Sequence, residues 1–167
     1  MLELMTKHGW DGVCVQDICE LADVARSTFY LHYASKDELL QDGFHTLQLL
    51  LQSKTDDEPR RSTSNEAWSG FRFSLGLIEH AYENRLLFRN MIGRRSGFAV
   101  QQRFREMVLR LIDSELPAPK GELPRVAVVR QLAAAFTELI GWSVEQQSPM
   151  PAPQLAGAFD RITLSLL

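Results

Sequence analysis

The amino-acid sequence predicts an all-α chain of about nine helices, with an N-terminal three-helix unit of helix-turn-helix type over residues 1–46 and a larger helical body over residues 47–167. Three observations carry this. Apolar residues recur at spacings of three and four along most of the chain, as they do in helices that bury one stripe. Helix-breaking residues at Gly9, Pro59, Gly93, Pro117, Pro119, Gly121, Pro124 and Pro149 cut that periodicity into segments of ordinary helical length. Finally, charges interrupt the apolar runs of a 167-residue chain that is 45% hydrophobic, which marks a globular protein long enough to bury a sizeable core.

The elements follow in order. Met1 to His8, with Leu2, Leu4 and Met5 on one side, reads as only the back half of a first helix, ended by Gly9 as a C-cap. Trp10 belongs to the core of the three-helix unit, beside Phe29 and Tyr33. Val15, Ile18, Leu21 and Ala22 give the second helix its apolar stripe. Asp23-Val24-Ala25 is a three-residue turn in which Val24 plugs the angle between helices. Arg26 to Tyr33 forms a short third helix that buries Phe29 and Tyr33. Ser35 then N-caps a long fourth helix reaching about Ser53, with Glu38 completing a capping box.

Burying Phe29 and Tyr33 leaves Arg26, Ser27, Thr28, Tyr30 and His32 as the exposed face of the third helix. One guanidinium, two hydroxyls, a phenol and an imidazole suit phosphate oxygens and base edges, with the N-terminal residues meeting the bases of a major groove. The string Thr28-Phe29-Tyr30-x-His32-Tyr33-x-Ser35-Lys36-Asp37-x-Leu39-Leu40, about ten residues after Val15-x-x-Ile18, resembles the signature of TetR-type (TetR/AcrR) bacterial transcriptional regulators. The resemblance covers roughly the first quarter of the chain. It implies that Cys14, Arg26, Ser27, Thr28, Tyr30, His32 and Lys36 contact a double-stranded DNA operator. Three positions depart from the pattern: Asp23 replaces a usual Gly, Ala25 a Ser or Thr N-cap, and Cys14 a capping Thr or Ser. Asp tolerates the left-handed conformation, whereas the lost cap at Ala25 costs about 0.5 to 2 kcal/mol.

Beyond the fourth helix, Thr55 to Asn65 reads as a polar loop. A fifth helix runs from Glu66 to about Tyr82, a sixth from Asn84 to Met91, a seventh from Phe98 to Leu116, an eighth from Arg125 to about Gln146 and a ninth from Gln154 to Leu167. Arg85, Arg89, Arg94 and Arg95 make a basic stretch suited either to an anion or to pairing with the acidic N-terminal unit. Aromatic and methionine side chains at helical spacing are core in the first instance. The resemblance adds a ligand pocket among them, with Trp68, Phe71, Arg72, Leu75, Phe88, Met91, Phe104, Met107 and Phe136 as candidate lining for an apolar or aromatic small molecule. The eighth helix carries two apolar stripes and so needs two covers. The resemblance supplies a partner copy for one of them, making a homodimer through Val128, Leu132, Ala135, Leu139, Trp142, Leu155, Phe159 and Ile162, packed as a four-helix bundle.

Composition bounds the function. The chain shows no Gly-rich phosphate loop, no nucleophile elbow and no His-Glu-x-x-His, and its four histidines are scattered, so neither catalysis, a cofactor nor a metal is expected. Cys14 and Cys19 are five apart on one helical segment and point in different directions, which suits neither a disulfide nor a metal pair. No apolar run approaches the ~20 residues that span a bilayer, and no signal peptide is visible, so the expected location is cytoplasmic. Residues 1–46 hold eight acids against three bases, which is awkward for a DNA binder because phosphate neutralisation supplies most non-specific affinity. The expected function is a ligand-responsive repressor that binds a palindromic operator as a homodimer. The alternative is a ligand- or partner-binding helical dimer that has lost efficient DNA binding.

Overall fold

The computed structural model describes residues 2–56, 68, 70–92, 97–119 and 122–164. Among them the regular elements are all helices: α1 (Leu2–Gly12), α2 (Val15–Ala22), α3 (Arg26–His32), α4 (Lys36–Asp56), α5 (Arg72–Glu83), α6 (Arg85–Ile92), α7 (Phe98–Glu115), α8 (Arg125–Glu145) and α9 (Ala152–Leu164). No helix among these residues is long and apolar enough to cross a membrane.

Gly9 breaks α1 as its sequence position requires, with φ 69 and ψ 159, but the chain makes one more helical turn to Gly12. That extra turn swings Trp10 inward, where it is 1% exposed and donates from Nε1 to Asp37 Oδ1 at 2.9 Å. α4 runs unbroken through residue 46, so the boundary expected there falls inside a helix about 31 Å long at the usual rise. A second link joins α1 to α6, where Asn90 Nδ2 donates to the Thr6 carbonyl at 3.2 Å.

The start of α5 differs from its sequence reading. Gly70 adopts φ 113, Phe71 is extended at φ −83 and ψ 118, and the helix begins only at Arg72 rather than at Glu66. Its first amides are capped from a distance: Asp160 of α9 accepts from Phe71 N–H at 3.0 Å, and Glu115 of α7 accepts from Arg72 N–H at 2.6 Å. The orphan donors of a helix N-terminus need such partners. Here they come from two other helices, and no local side chain signals them. The predicted loop at 55–65 falls almost wholly outside the described residues, as do Arg94 and Arg95 of the basic stretch and the side chain of Met91.

The body packs α7 against α8 and α4, and α5 against α9 and α8. At its centre Phe71, Phe73, Phe136 and Phe159 stack and tilt on one another with centroids 4.8 to 5.6 Å apart, the spacing at which aromatic rings attract beyond their area burial. Of the side chains expected to line a pocket, several are close-packed here. Phe71, Phe88, Phe104, Met107 and Phe136 are 0 to 3% exposed and pack against one another and the rest of the core. Arg72 and Leu75 face outward instead, and Trp68 is half-buried against Phe71.

The dimer expectation is likewise corrected in part. Val128, Leu132, Leu155 and Phe159 are buried within their own chain, at 1 to 7% exposure. Only Ala135, Trp142, Ile162 and the half-buried Leu139 remain outward to meet another surface.

Candidate nucleic-acid interface

The three-residue turn is built by Asp23, which takes the left-handed conformation at φ 53 and ψ 46. Its N–H donates to the Glu20 carbonyl at 3.3 Å, and Val24 N–H reaches back to the Cys19 carbonyl at 3.0 Å. This pair of bonds is the Schellman closure of a helix C-terminus, so Asp23 does the work for which glycine is usual. Ala25 then stands at the N-cap of α3 with no side-chain hydrogen bond, as its methyl dictates. At the head of α2 the missing hydroxyl is offset from inside the helix. Asp17 Oδ2 accepts from Cys14 N–H at 2.7 Å, and that bond holds the Asp17 carboxyl below its ordinary pKa.

α3 buries Phe29 at 6% exposure, edge-on to Tyr30 and tilted against Tyr33, whose hydroxyl donates to Asp42 Oδ2 at 3.1 Å. Arg26, Ser27, Thr28, Tyr30 and His32 are all exposed, on one short helix. The Tyr30 hydroxyl lies one turn beyond Arg26 and holds the guanidinium above its ordinary basicity. Cys14 is exposed beside this helix pair, and Cys19 is buried beneath it.

Two apolar side chains behave otherwise than the sequence suggests. Leu21 and Val24 are 48% and 42% exposed, so Leu21 is not part of a buried stripe and Val24 does not plug the angle between the helices. Leu31 is 82% exposed, between Tyr30 and His32. Its position two residues from the buried Phe29 puts it on the opposite side of the helix, a signal the sequence carries. An exposed leucine there adds an apolar contact of the kind that thymine methyls offer in a major groove.

Lys36 is the clearest correction. Its ammonium donates to the carbonyls of Trp10 at 2.9 Å and Val13 at 2.7 Å, and lies 5.1 Å from the centroid of the Trp10 ring. It ties the end of α1 to the start of α4, which leaves it little to offer a phosphate. Beside it, Ser35 Oγ accepts from Glu38 N–H at 3.3 Å, and the Glu38 carboxylate takes Ala34 N–H at 2.6 Å in place of the cap's own amide.

Away from this unit, a cleft of about 540 Å³ opens between α7 and α8, and of the expected pocket residues it is lined by Phe104 alone. Among the described residues no cluster of His, Cys, Asp and Glu could hold a metal ion.

Residues 2–42 match the model described as bacterial regulatory proteins, tetR family. Over 172 residues, spanning 99% of this chain and 86% of the relative, the sequence is 22% identical to the "Putative mycofactocin biosynthesis transcriptional regulator MftR" of Mycobacterium tuberculosis. Among solved structures, a TetR transcriptional regulator from Streptococcus agalactiae superposes with a TM-score of 0.64 at 22% identity, covering 97% of this chain and 88% of that one. The dihydroxyacetone kinase operon activator DhaS does so with a TM-score of 0.60 at 18% identity, covering 98% and 89%. At these identities the two structures establish a shared fold.

Proposed function

We infer, from the tetR-family DNA-binding unit that residues 2–42 form, that this transcriptional regulator acts as a ligand-responsive repressor. It binds a palindromic operator as a homodimer, with one α3 from each protomer in successive major grooves about one helical turn apart. The observation that carries this reading is the surface of α3: Arg26, Ser27, Thr28, Tyr30 and His32 all project from a helix whose single buried anchor is Phe29. Arg26, Ser27 and Thr28 lie in the first turn and read bases, while Tyr30 and His32 set the register on the backbone.

Regulation follows as a population shift. DNA favours one separation of the two reading units and the ligand favours another, so each weakens the other's binding. α4, continuous from Lys36 to Asp56, is the lever between them.

The decisive experiment titrates the protein against the DNA upstream of its own gene by fluorescence anisotropy at two salt concentrations. A saturable, sequence-dependent isotherm is expected; binding no tighter than to a scrambled fragment sinks the reading. The charge of the N-terminal unit favours a second reading, a helical dimer that has lost efficient DNA binding. With Lys36 engaged internally and Lys7 paired to Glu3 at 2.9 Å, Arg26 is the one of the unit's three basic side chains left to face DNA. The same titration separates the two.

A further inference from the structure

We propose that the cleft between α7 and α8 binds a small zwitterion with an aromatic or apolar body, and that this molecule is the regulator's effector. The effector role rests on the regulator reading above; the binding does not. A volume of about 540 Å³ lies in the range of small-molecule sites. The cleft meets the packed aromatic core at Phe104.

Three features define what fits. First, Phe98 is 80% exposed in the first turn of α7, a large ring left in water at the mouth of the cleft. The buried Phe104 and the small Ala134 complete an apolar floor on which a flat ring can pack. Second, Arg105 on α7 and Glu138 on α8 line the same cleft from facing helices, and among the described residues neither makes a hydrogen bond or an ion pair. The two charges thus line one cleft from opposite sides without being paired to each other, and both are open to a ligand. Third, Thr137 donates its hydroxyl proton to the Ala133 carbonyl at 2.8 Å, so toward a ligand it presents only an acceptor, which suits an ammonium.

Covering this cleft with a ligand removes water from both charges, and a charge taken from water without a partner is costly. A carboxylic acid satisfies Arg105 and strands Glu138; an amine does the reverse. A molecule bearing both groups satisfies both walls, while its apolar body covers Phe98. The selectivity of the site is therefore for the pair of charges together.

The test uses L-phenylalanine as probe, with 3-phenylpropionate and 2-phenylethylamine as controls that each lack one charge, measured by isothermal titration calorimetry on the intact chain. L-Phenylalanine is expected to bind saturably and at least about tenfold tighter than either control, a difference of one decade in Kd. Arg105→Gln should bring L-phenylalanine down to the affinity of the amine, and Glu138→Gln down to that of the acid. Both positions are exposed, so the variants fold, which circular dichroism verifies. The proposal is overturned if the wild-type protein shows no saturable binding of the probe, or if both charge variants bind it as tightly as the wild type. Operator binding is measured separately without ligand. A chain that binds DNA but not the probe loses this inference and keeps the regulator reading, and one that binds the probe but not DNA keeps the site.

Discussion

The carboxylate of Asp11, in the last turn of α1, occupies the space that a Cβ on Gly97 would need at the head of α7. Gly97 is the N-cap of that helix, so the anion sits at the positive end of the α7 dipole, a favourable placement. Together with the Asn90 bond to Thr6, this contact fastens α1 to α6 and α7. The first turn of α7, which carries Phe98 at the cleft, therefore lies against the last turn of α1.

Gly97→Ala is expected to destabilise the fold by about 1 to 3 kcal/mol, the usual cost of forcing a methyl into a filled space. The backbone is not the cause, since φ at Gly97 is −56 and any residue adopts it. Asp11→Ala vacates the space, so in that background the same glycine change should cost much less. A double-mutant cycle by urea denaturation checks this, and additive costs would mean that the two residues do not meet.

Lys36→Met should lower stability by about 1.5 to 3 kcal/mol, because it removes charge-assisted bonds to two carbonyls and leaves both acceptors wanting a donor. At a temperature where the variant is still folded, the slope of log affinity against log salt for DNA should match that of the wild type. A slope shallower by about one would return Lys36 to the phosphate backbone.

Burial pushes the Glu115 carboxyl above its ordinary value of 4.5 and the Asp160 carboxyl above 3.8, outweighing the α5 amides that each accepts. A carboxyl whose folded pKa is raised binds its proton more tightly in the native state, so its contribution to stability falls as pH rises through the window from the ordinary value to the raised one. Thermal melts from about pH 4 upward should show this decline. Glu115→Gln with Asp160→Asn keeps an oxygen acceptor for each amide and removes the charge, so the decline should flatten. An unchanged profile in the double variant would place the pH dependence elsewhere.

Operator binding should depend only weakly on salt. With Arg26 as the main cation on each α3, a dimer brings about two such charges to the DNA, and the slope should be about −2, far from the steep values of basic DNA binders. Arg26→Ala should flatten the slope further and relax base preference. Leu31→Ser should weaken binding most at operator sites that present a thymine methyl. A slope steeper than about −5 would show a larger basic contact surface than α3 provides.

The sequence made the helices legible because their signals are local: stripes at three and four, glycine at an end, proline past it. Asp23 was legible for the same reason, as a residue that can stand in for glycine in the left-handed region. What escaped depends on distant groups. Lys36 reads as a surface cation until the chain brings the Trp10 and Val13 carbonyls to it. The late start of α5 depends on Asp160, 89 residues away from Phe71 in sequence. The α7–α8 cleft could not be anticipated, because periodicity marks Phe104 and Phe136 as apolar without saying whether the space between helices is filled. The two stripes of α8 were visible, but not which of them the chain's own core would claim.

That last ambiguity is settled on one side by burial, and it defines the final prediction. Val128, Leu132, Ala133 and Phe136 turn inward, while Trp142 on α8 and Ile162 on α9 are 49% and 57% exposed. Isolated exposed apolar residues are ordinary, but two large ones on α8 and α9, with the exposed Ala135 on α8, are what a symmetric four-helix contact between protomers would use. Trp142→Glu with Ile162→Glu places two charges per protomer in such a contact. Because both side chains lie outside the protomer core, the helical content and the melting of the isolated chain should change little. Sedimentation velocity should then show the wild type as a dimer and the variant as a monomer. Operator affinity should fall sharply with it, because a lone α3 reads one half-site. A variant that remains dimeric would move the contact to another face.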